Sequence, residues 1–236
     1  MNYVDMLALL GVGGAHPGGL YLTKQLFEKE EITSETSILD IGCGTGQTSA
    51  YLYCRYGCEI TACDINETMV QKANKRFKQL NLPRKAMIED IEDLSFDNES
   101  FDIILLESVA AFTNPSSSLK ECKRVLKKGG IILAIEPIKE PQMTEQDERL
   151  ISEFYRFQSI PDELKWIDHW EKAGFSNVMI SREHKFKQGE QDIDFGTEFD
   201  LSDEVPSSVY DLLDEHERLT KKYQNLLGFC VFRCIS

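Results

Sequence analysis

Short apolar runs alternate with amphipathic stretches through the first 136 residues. Ile38–Ile41, Glu59–Cys63, Ala86–Ile88, Phe101–Leu106 and Ile131–Ile135 read as strands. The run "FDIILL" at Phe101–Leu106 is apolar apart from Asp102, the pattern of a strand buried on both faces. Between the strands, Gln47–Tyr56, a stretch from Asn66 to about Leu80, and Ser116–Lys128 read as helices. Gly57 stops the first, Asn66 caps the second, and Lys127 and Lys128 suit the negative end of the third before Gly129. Strands and helices in alternation with short connections predict an α/β fold. Its centre is a doubly wound, mostly parallel sheet with helices on both faces.

The pattern changes after residue 136. Thr144–Ser159 and Asp162–Ala173 read as helices, the first opened by the capping sequence "TEQD" and the second closed by Gly174. "FSNVMI" reads as a strand, Glu183–Glu204 as an acidic, turn-rich loop, Val205–Leu226 as an amphipathic helix and "GFCVFRCI" as a last strand. Residues 1–36 read as a glycine-rich leader followed by a helix near Tyr21–Lys29.

Charge narrows the partners. The 236-residue chain carries 26 basic and 40 acidic residues, a formal charge of −14. Phosphate-rich partners select basic surfaces, so nucleic acid and anionic membranes are not expected partners. The lysines between Lys72 and Lys85 read as a solvated helix face. No stretch approaches the ~18 apolar residues of a membrane span, and Asp5 without a basic lead-in speaks against a signal peptide. Seven scattered cysteines, an odd number, suit a reduced cytoplasmic protein. Cys54 with Cys58 and Cys230 with Cys234 lack ligand partners at zinc spacing, so no metal is expected.

Candidate chemistry concentrates in "ILDIGCGTGQT", Ile38–Thr48. A glycine turn after a buried parallel strand lets backbone N–H groups approach a ligand at the carboxyl end of a sheet. The following helix start adds positive potential. Dinucleotide sites use G-x-G-x-x-G, whereas Gly42, Gly44 and Gly46 run G-x-G-x-G, with Gln47 at the third glycine's place. Asp40 would repel a pyrophosphate and suits a ligand that carries an ammonium group.

With these residues the chain resembles the class I S-adenosylmethionine-dependent methyltransferases. "ILDIGCGTGQT" is similar to their first motif, and "ITACDI" to their second acidic strand end. "MIEDIEDLSFDNESFDIILLESVAAF" is similar to their third and fourth segments, "LKECKRVLKKGGIILAIEP" to the helix, Gly-Gly turn and fifth strand, and "WEKAGFSNVMI" to the sixth strand with its helix. The resemblance is close over residues 36–136 and looser over 165–181 and 228–235. It points to the small-molecule branch that includes the ubiquinone and menaquinone C-methyltransferases. It implies a Rossmann-like, seven-stranded sheet whose last strand is antiparallel and lies between the fifth and sixth.

The resemblance also implies roles. S-adenosylmethionine is the expected cofactor. Asp40 would face its ammonium, and Gly42, Cys43, Gly44, Thr45 and Gly46 would press against its methionine moiety. Asp64 would accept the ribose hydroxyls, Ile65 would line the adenine, Asp90 would take the adenine amino group, and Ile91 would lie beside the ring. Glu107 and Ser108 would meet the methionine and face the substrate, although Glu107 departs from the small or polar residue usual there. The whole chain would be one domain: a lid at 1–36, a cofactor-binding half at 37–136, substrate-side helices, sixth strand and acidic insertion at 137–227, and the last strand at 228–236.

A sulfonium methyl is already electrophilic, so in-line displacement asks mainly for alignment and exclusion of water. A base is needed only where the nucleophile carries a proton. The candidates are His16, Glu136 and His169. "GGAHPGGLYLT" surrounds His16-Pro17 with glycines, which suits a lid. His16 and Tyr21 are then possible substrate contacts, with Tyr155 and Trp166 from an aromatic stretch expected to wall a small-molecule substrate. Two other readings stay open at this point: a nicotinamide-dependent oxidoreductase and a non-catalytic S-adenosylmethionine-binding protein.

Overall fold

The computed structural model describes residues 1–182 and 198–236. The first fifteen residues of the predicted acidic loop therefore lie outside the described residues. Seven strands form one sheet: β1 (Ser37–Ile41), β2 (Glu59–Asp64), β3 (Met87–Ile88), β4 (Phe101–Glu107), β5 (Leu126–Lys139), β6 (Ser176–Ser181) and β7 (Leu227–Ile235). Their order is β3-β2-β1-β4-β5-β7-β6. The strands from β3 to β5 pair in parallel. β7 runs antiparallel to both β5 and β6. The chain reverses between β1 and β4, and ligands of open α/β sheets bind beside such a switch point.

The helices are α1 (Tyr3–Leu10), α2 (Gly19–Phe27), α3 (Gln47–Tyr56), α4 (Glu67–Gln79), α5 (Pro115–Val125), α6 (Glu145–Tyr155), α7 (Glu163–Lys172) and α8 (Ser208–Tyr223). α2 and α3 cover one face of the sheet, where Phe27 and Leu52 pack on Ile38, Ile60, Ile103 and Leu105. α5 and α7 cover the other, with Leu119, Cys122, Trp166 and Trp170 against Leu39, Ile104, Ile132 and Phe232. α1, α6 and α8 form a second core around Tyr3, Met6, Ile151, Tyr155 and Leu219. That core adjoins the carboxyl ends of β4 and β5, tied by Gln158 N–H to the Ala111 carbonyl and by Lys139 N–H to the Pro161 carbonyl.

Three elements differ from the sequence reading. α1 lies in what reads as a leader. It opens with a reciprocal Asn2–Asp5 capping box and ends on Gly11 in the left-handed region. The helix predicted to reach Lys128 ends at Val125, because Leu126 turns extended to pair with Phe101 and bury its side chain. Lys127 and Lys128 therefore do not serve a helix terminus. Lys127 bonds Asp102 at 2.8 Å, and Lys128 lies 3.3 Å from Glu99. The last helix begins at Ser208 rather than Val205.

Trp166, expected at the substrate wall, is instead fully buried. Its indole N–H donates to the Pro137 carbonyl at 2.9 Å, and its ring lies 6.2 Å from Trp170 and 6.0 Å from Phe232. The pair of tryptophans one turn apart is the seam that fastens α7 to the sheet. His169 packs its ring edge-on against Trp166. Trp166→Ala is expected to cost about 3–5 kcal/mol of stability, against under about 1 kcal/mol for His169→Ala. Urea unfolding of the two variants checks this.

Candidate active site

The carboxyl ends of β1, β2 and β4 carry Asp40, Asp64 and Glu107, the acids predicted from the sequence. Asp40 is buried and receives the Ser49 hydroxyl of α3 at 2.5 Å. Asp64 accepts Gly44 N–H at 2.9 Å on one oxygen and Asn66 N–H at 2.8 Å on the other. The ribose acid of the sequence reading is thus also the anchor of the glycine turn.

The three glycines of that turn do different work. All have positive φ. A Cβ on Gly42 would lie 2.5 Å from Val109, and one on Gly46 would lie 2.7 Å from the Phe77 ring of α4. Packing inside the protein already requires these two glycines, beside whatever the ligand of the sequence reading asks of the turn. Only Gly44 faces open space, with nothing within 4 Å of the added carbon. The turn is fixed from below by Gly42 and Cys43 N–H, both donating to the Cys63 carbonyl at 2.8 and 2.9 Å. Arg76 Nε donates to the Thr45 carbonyl at 2.8 Å.

Beyond β2, Ile65 is 68% exposed, an apolar side chain left uncovered at the end of a strand. Asp90 is exposed, and its carboxylate accepts Glu92 N–H at 2.9 Å, so its other oxygen is open. Ile91, expected beside the adenine, is instead packed in the main core. Ser108 sits in the left-handed region at φ 60°, its N–H held by the Ile135 carbonyl at 2.7 Å. A non-glycine residue in that conformation costs of order 1–3 kcal/mol and marks functional turns.

Glu107 has the most partners. It accepts the Thr23 hydroxyl of α2 and the Thr48 hydroxyl of α3, the latter at 2.8 Å. His16 Nε2 lies 3.2 Å from the oxygen that Thr23 holds, without a hydrogen bond to it, while Nδ1 lies 3.2 Å from the Pro17 carbonyl. His16 and Glu107, far apart in sequence, are brought together. Tyr21 is not; it is 38% exposed and its hydroxyl takes a hydrogen from Gln25. Thr23, two residues further on, is the residue of α2 that reaches the acid. Nothing local marks it, since its partner lies 84 positions away.

The other base candidates lie elsewhere. Glu136, at the ligand-side end of β5, is buried and accepts Val109, Ala110 and Ala111 N–H at 3.1, 2.9 and 3.2 Å. Its carboxylate caps the short 3₁₀ turn Ala110–Phe112 and leaves little for a substrate proton. Tyr155 belongs to the second core, where its hydroxyl meets His216 Nδ1 at 3.0 Å.

Known proteins carry the same organisation. The uncharacterized methyltransferase YodH of Bacillus subtilis is 36% identical over 236 residues, spanning 98% of this chain and 97% of that protein. The family described as a methyltransferase domain matches residues 39–134, from β1 into β5. The chain belongs to the class I S-adenosylmethionine-dependent methyltransferases. Solved structures show the same fold at low identity. The MccD protein has a TM-score of 0.75 at 19% identity, covering 94% of this chain and 99% of its own. A phosphoethanolamine N-methyltransferase of Haemonchus contortus in complex with S-adenosyl-L-methionine has a TM-score of 0.76 at 16% identity, covering 94% of this chain and 53% of its own.

In this methyltransferase the site is electrostatically tense. Burial, and then the charge of Glu107, pushes the Asp40 carboxyl up to about 8. Burial also raises Asp64 against its two backbone donors, and raises Glu136 to about 7. An acid raised in the folded state binds its proton there while the unfolded chain has lost it. Stability of the ligand-free enzyme should therefore fall as pH rises from about 4 to about 8. Asp40→Asn should flatten that slope. Urea unfolding at pH 5 and pH 8 measures both.

Proposed function

We propose that the enzyme transfers a methyl group from S-adenosylmethionine to a small-molecule acceptor. The observation that carries the reading is the set of three carboxylates around an open Gly44 at the switch point of the sheet. They are held by hydroxyls and backbone amides rather than by lysine or arginine. A cationic, hydroxyl-rich ligand supplies what they lack. Asp40 and Glu107 take the ammonium end. Asp64, still free to accept more than its two backbone bonds, takes the ribose hydroxyls. Ile65 covers one face of the adenine, and Asp90 receives its amino group. The open face of Gly44 lets the turn approach the methionine, and Ser108 faces the transferring end.

The bound cofactor supplies an electrophilic methyl. The chain supplies alignment and a dry site. Residues 1–36 act as the lid, seated through His16 on Glu107. Where the acceptor carries a proton on oxygen or nitrogen, His16 would take it by turning one ring nitrogen away from the Pro17 carbonyl or Glu107. The acidic surface fits neither nucleic acid nor anionic membrane. Among the described residues no helix is long and apolar enough to cross a membrane. The free thiols, six of the seven buried, suit the reducing cytoplasm.

S-adenosylmethionine and S-adenosylhomocysteine should each raise the melting temperature, and NAD should not. At 100-fold excess over Kd the gain is about 2.7 kcal/mol. An acceptor screen that detects S-adenosylhomocysteine then reads turnover, and its absence across O-, N- and C-nucleophiles would overturn the small-molecule assignment.

Asp64→Ala should weaken cofactor binding by about 2–4 kcal/mol, roughly 30- to 1000-fold. Because Gly44 and Asn66 also lose their acceptor, it should cost about 1–3 kcal/mol of stability as well. Asp64→Asn, which keeps one acceptor, should lose less of both. Calorimetric titration and urea unfolding of the two variants separate the effects. Parent-like binding by Asp64→Ala would put the ribose elsewhere.

A further inference from the structure

The lid is tied to a distant part of the chain. Residues 198–202 run antiparallel to residues 9–13. Gly13 N–H donates to the Glu198 carbonyl at 2.8 Å, Asp200 N–H to the Gly11 carbonyl at 3.0 Å, and Ser202 N–H to the Leu9 carbonyl at 2.9 Å, with Val12 bridged to Phe199. The approach is close enough to forbid a side chain on the lid strand. A Cβ on Gly11 would lie 2.2 Å from the Asp200 carbonyl oxygen, and Gly11 has φ 61°.

The other side of this strap rests on α4. Lys72 donates to the Asp200 backbone carbonyl, Lys75 pairs with the Asp200 carboxylate at 2.6 Å, and Arg76 pairs with Glu198 at 2.6 Å. These are the cations that read from sequence as a solvated helix face. Arg76 also holds the Thr45 carbonyl of the glycine turn. The lid strand's Gly13 lies against the same turn, where an added carbon would meet Thr45 and Gln47 side-chain atoms at 3.0–3.2 Å. One continuous set of contacts therefore runs from α4 through the strap and the lid to the cofactor turn, and on through His16 to Glu107.

We infer that residues 198–202 are a clasp that positions the N-terminal lid over the cofactor site, and that cofactor exchange requires the clasp to lift from α4. This rests on the functional reading above, in which residues 1–36 are the lid. The chemistry of the hold suits a gate. Its ion pairs are partly exposed, so each is weak and screened by salt, and the strap carries only three backbone bonds to the lid. Such a contact opens locally without unfolding the sheet. Gly11, Lys75 and Asp200 are positioning residues here, not catalytic ones.

The experiment has a ligand-free arm and a ligand arm. In the free protein, Asp200→Lys should speed hydrogen exchange at the Gly13 and Ser202 amides by about three- to tenfold, the range of one or two lost surface pairs. Gly11→Ala should do so more strongly. In the loaded protein, the same variants should release S-adenosylhomocysteine faster by a similar factor in stopped-flow displacement. The charge-swapped Lys75→Glu/Asp200→Lys chain should recover both toward the parent. The parent's release should quicken with salt, and that of Asp200→Lys should quicken less, because only the Arg76–Glu198 pair remains to be screened. Unchanged exchange in Asp200→Lys would overturn the clasp. Faster exchange with unchanged release would overturn its gating role. A parent with protected Gly13 and Ser202 amides that nevertheless fails to bind S-adenosylhomocysteine would overturn the functional reading, and the gating with it, while leaving the lid–strap contact standing.

Discussion

The site depends on keeping negative charge where water is scarce. Asp40, Asp64 and Glu107 stand at the ends of three neighbouring strands, and burial raises the first two above the ordinary carboxylate range. Desolvated carboxylates are tolerated only when their lone pairs are engaged. The chain engages them with Ser49, with the amides of Gly44 and Asn66, and with Thr23 and Thr48. None of these donors carries a charge. Burial and the charge of Glu107 make Asp40 hold its proton up to about pH 8, and a cationic ligand takes the place of that proton when it arrives. Much of the surrounding architecture follows. α3 must start beside β1 to offer Ser49 and Thr48, and α2 must lie across its top to offer Thr23.

The centre of the sheet was legible because β1, β4 and β5 are buried on both faces. Apolar runs such as "IILL", Ile103–Leu106, and "IILAI" leave no helical reading of comparable length. Asp64 and Glu107 were legible for a related reason, since each ends an apolar run where the chain leaves the core, and Asp40 because it breaks such a run just before the glycine turn. Aromatic residues were less informative. Trp166 and Tyr155 occur at helical spacing in amphipathic segments, which describes a substrate wall and a packing seam equally well, and here they pack. α1 went unread although Asn2, Asp5 and Gly11 spell out its two ends, because the glycines that follow dominate the segment. The strap and Thr23 had no local signal. Both are defined by partners more than 80 residues away, and pairing at that separation leaves no periodic trace in either segment.

Glu107 and Glu136 show how the same side chain at the ends of adjacent strands comes to different work. Glu136 is held by three consecutive backbone amides, from Val109 to Ala111. Those donors belong to a turn that cannot rotate away, so the carboxylate is committed to shaping it. Glu107 is held by two hydroxyls, side-chain donors that can turn toward a ligand and back, with the His16 imidazole 3.2 Å away. The committed acid still matters to the site. By fixing Val109 it sets the side chain that lies against Gly42, and no carbon can be added at Gly42 without moving Val109. The glycine turn is therefore braced on three sides: by Glu136 through Val109, by Asp64 through Gly44, and by Phe77 against Gly46. What stays free is the one face at Gly44 that opens outward. A turn fixed this way presents its open face at Gly44 with no ordering cost left for the ligand to meet, which is the source of affinity in a preorganised site.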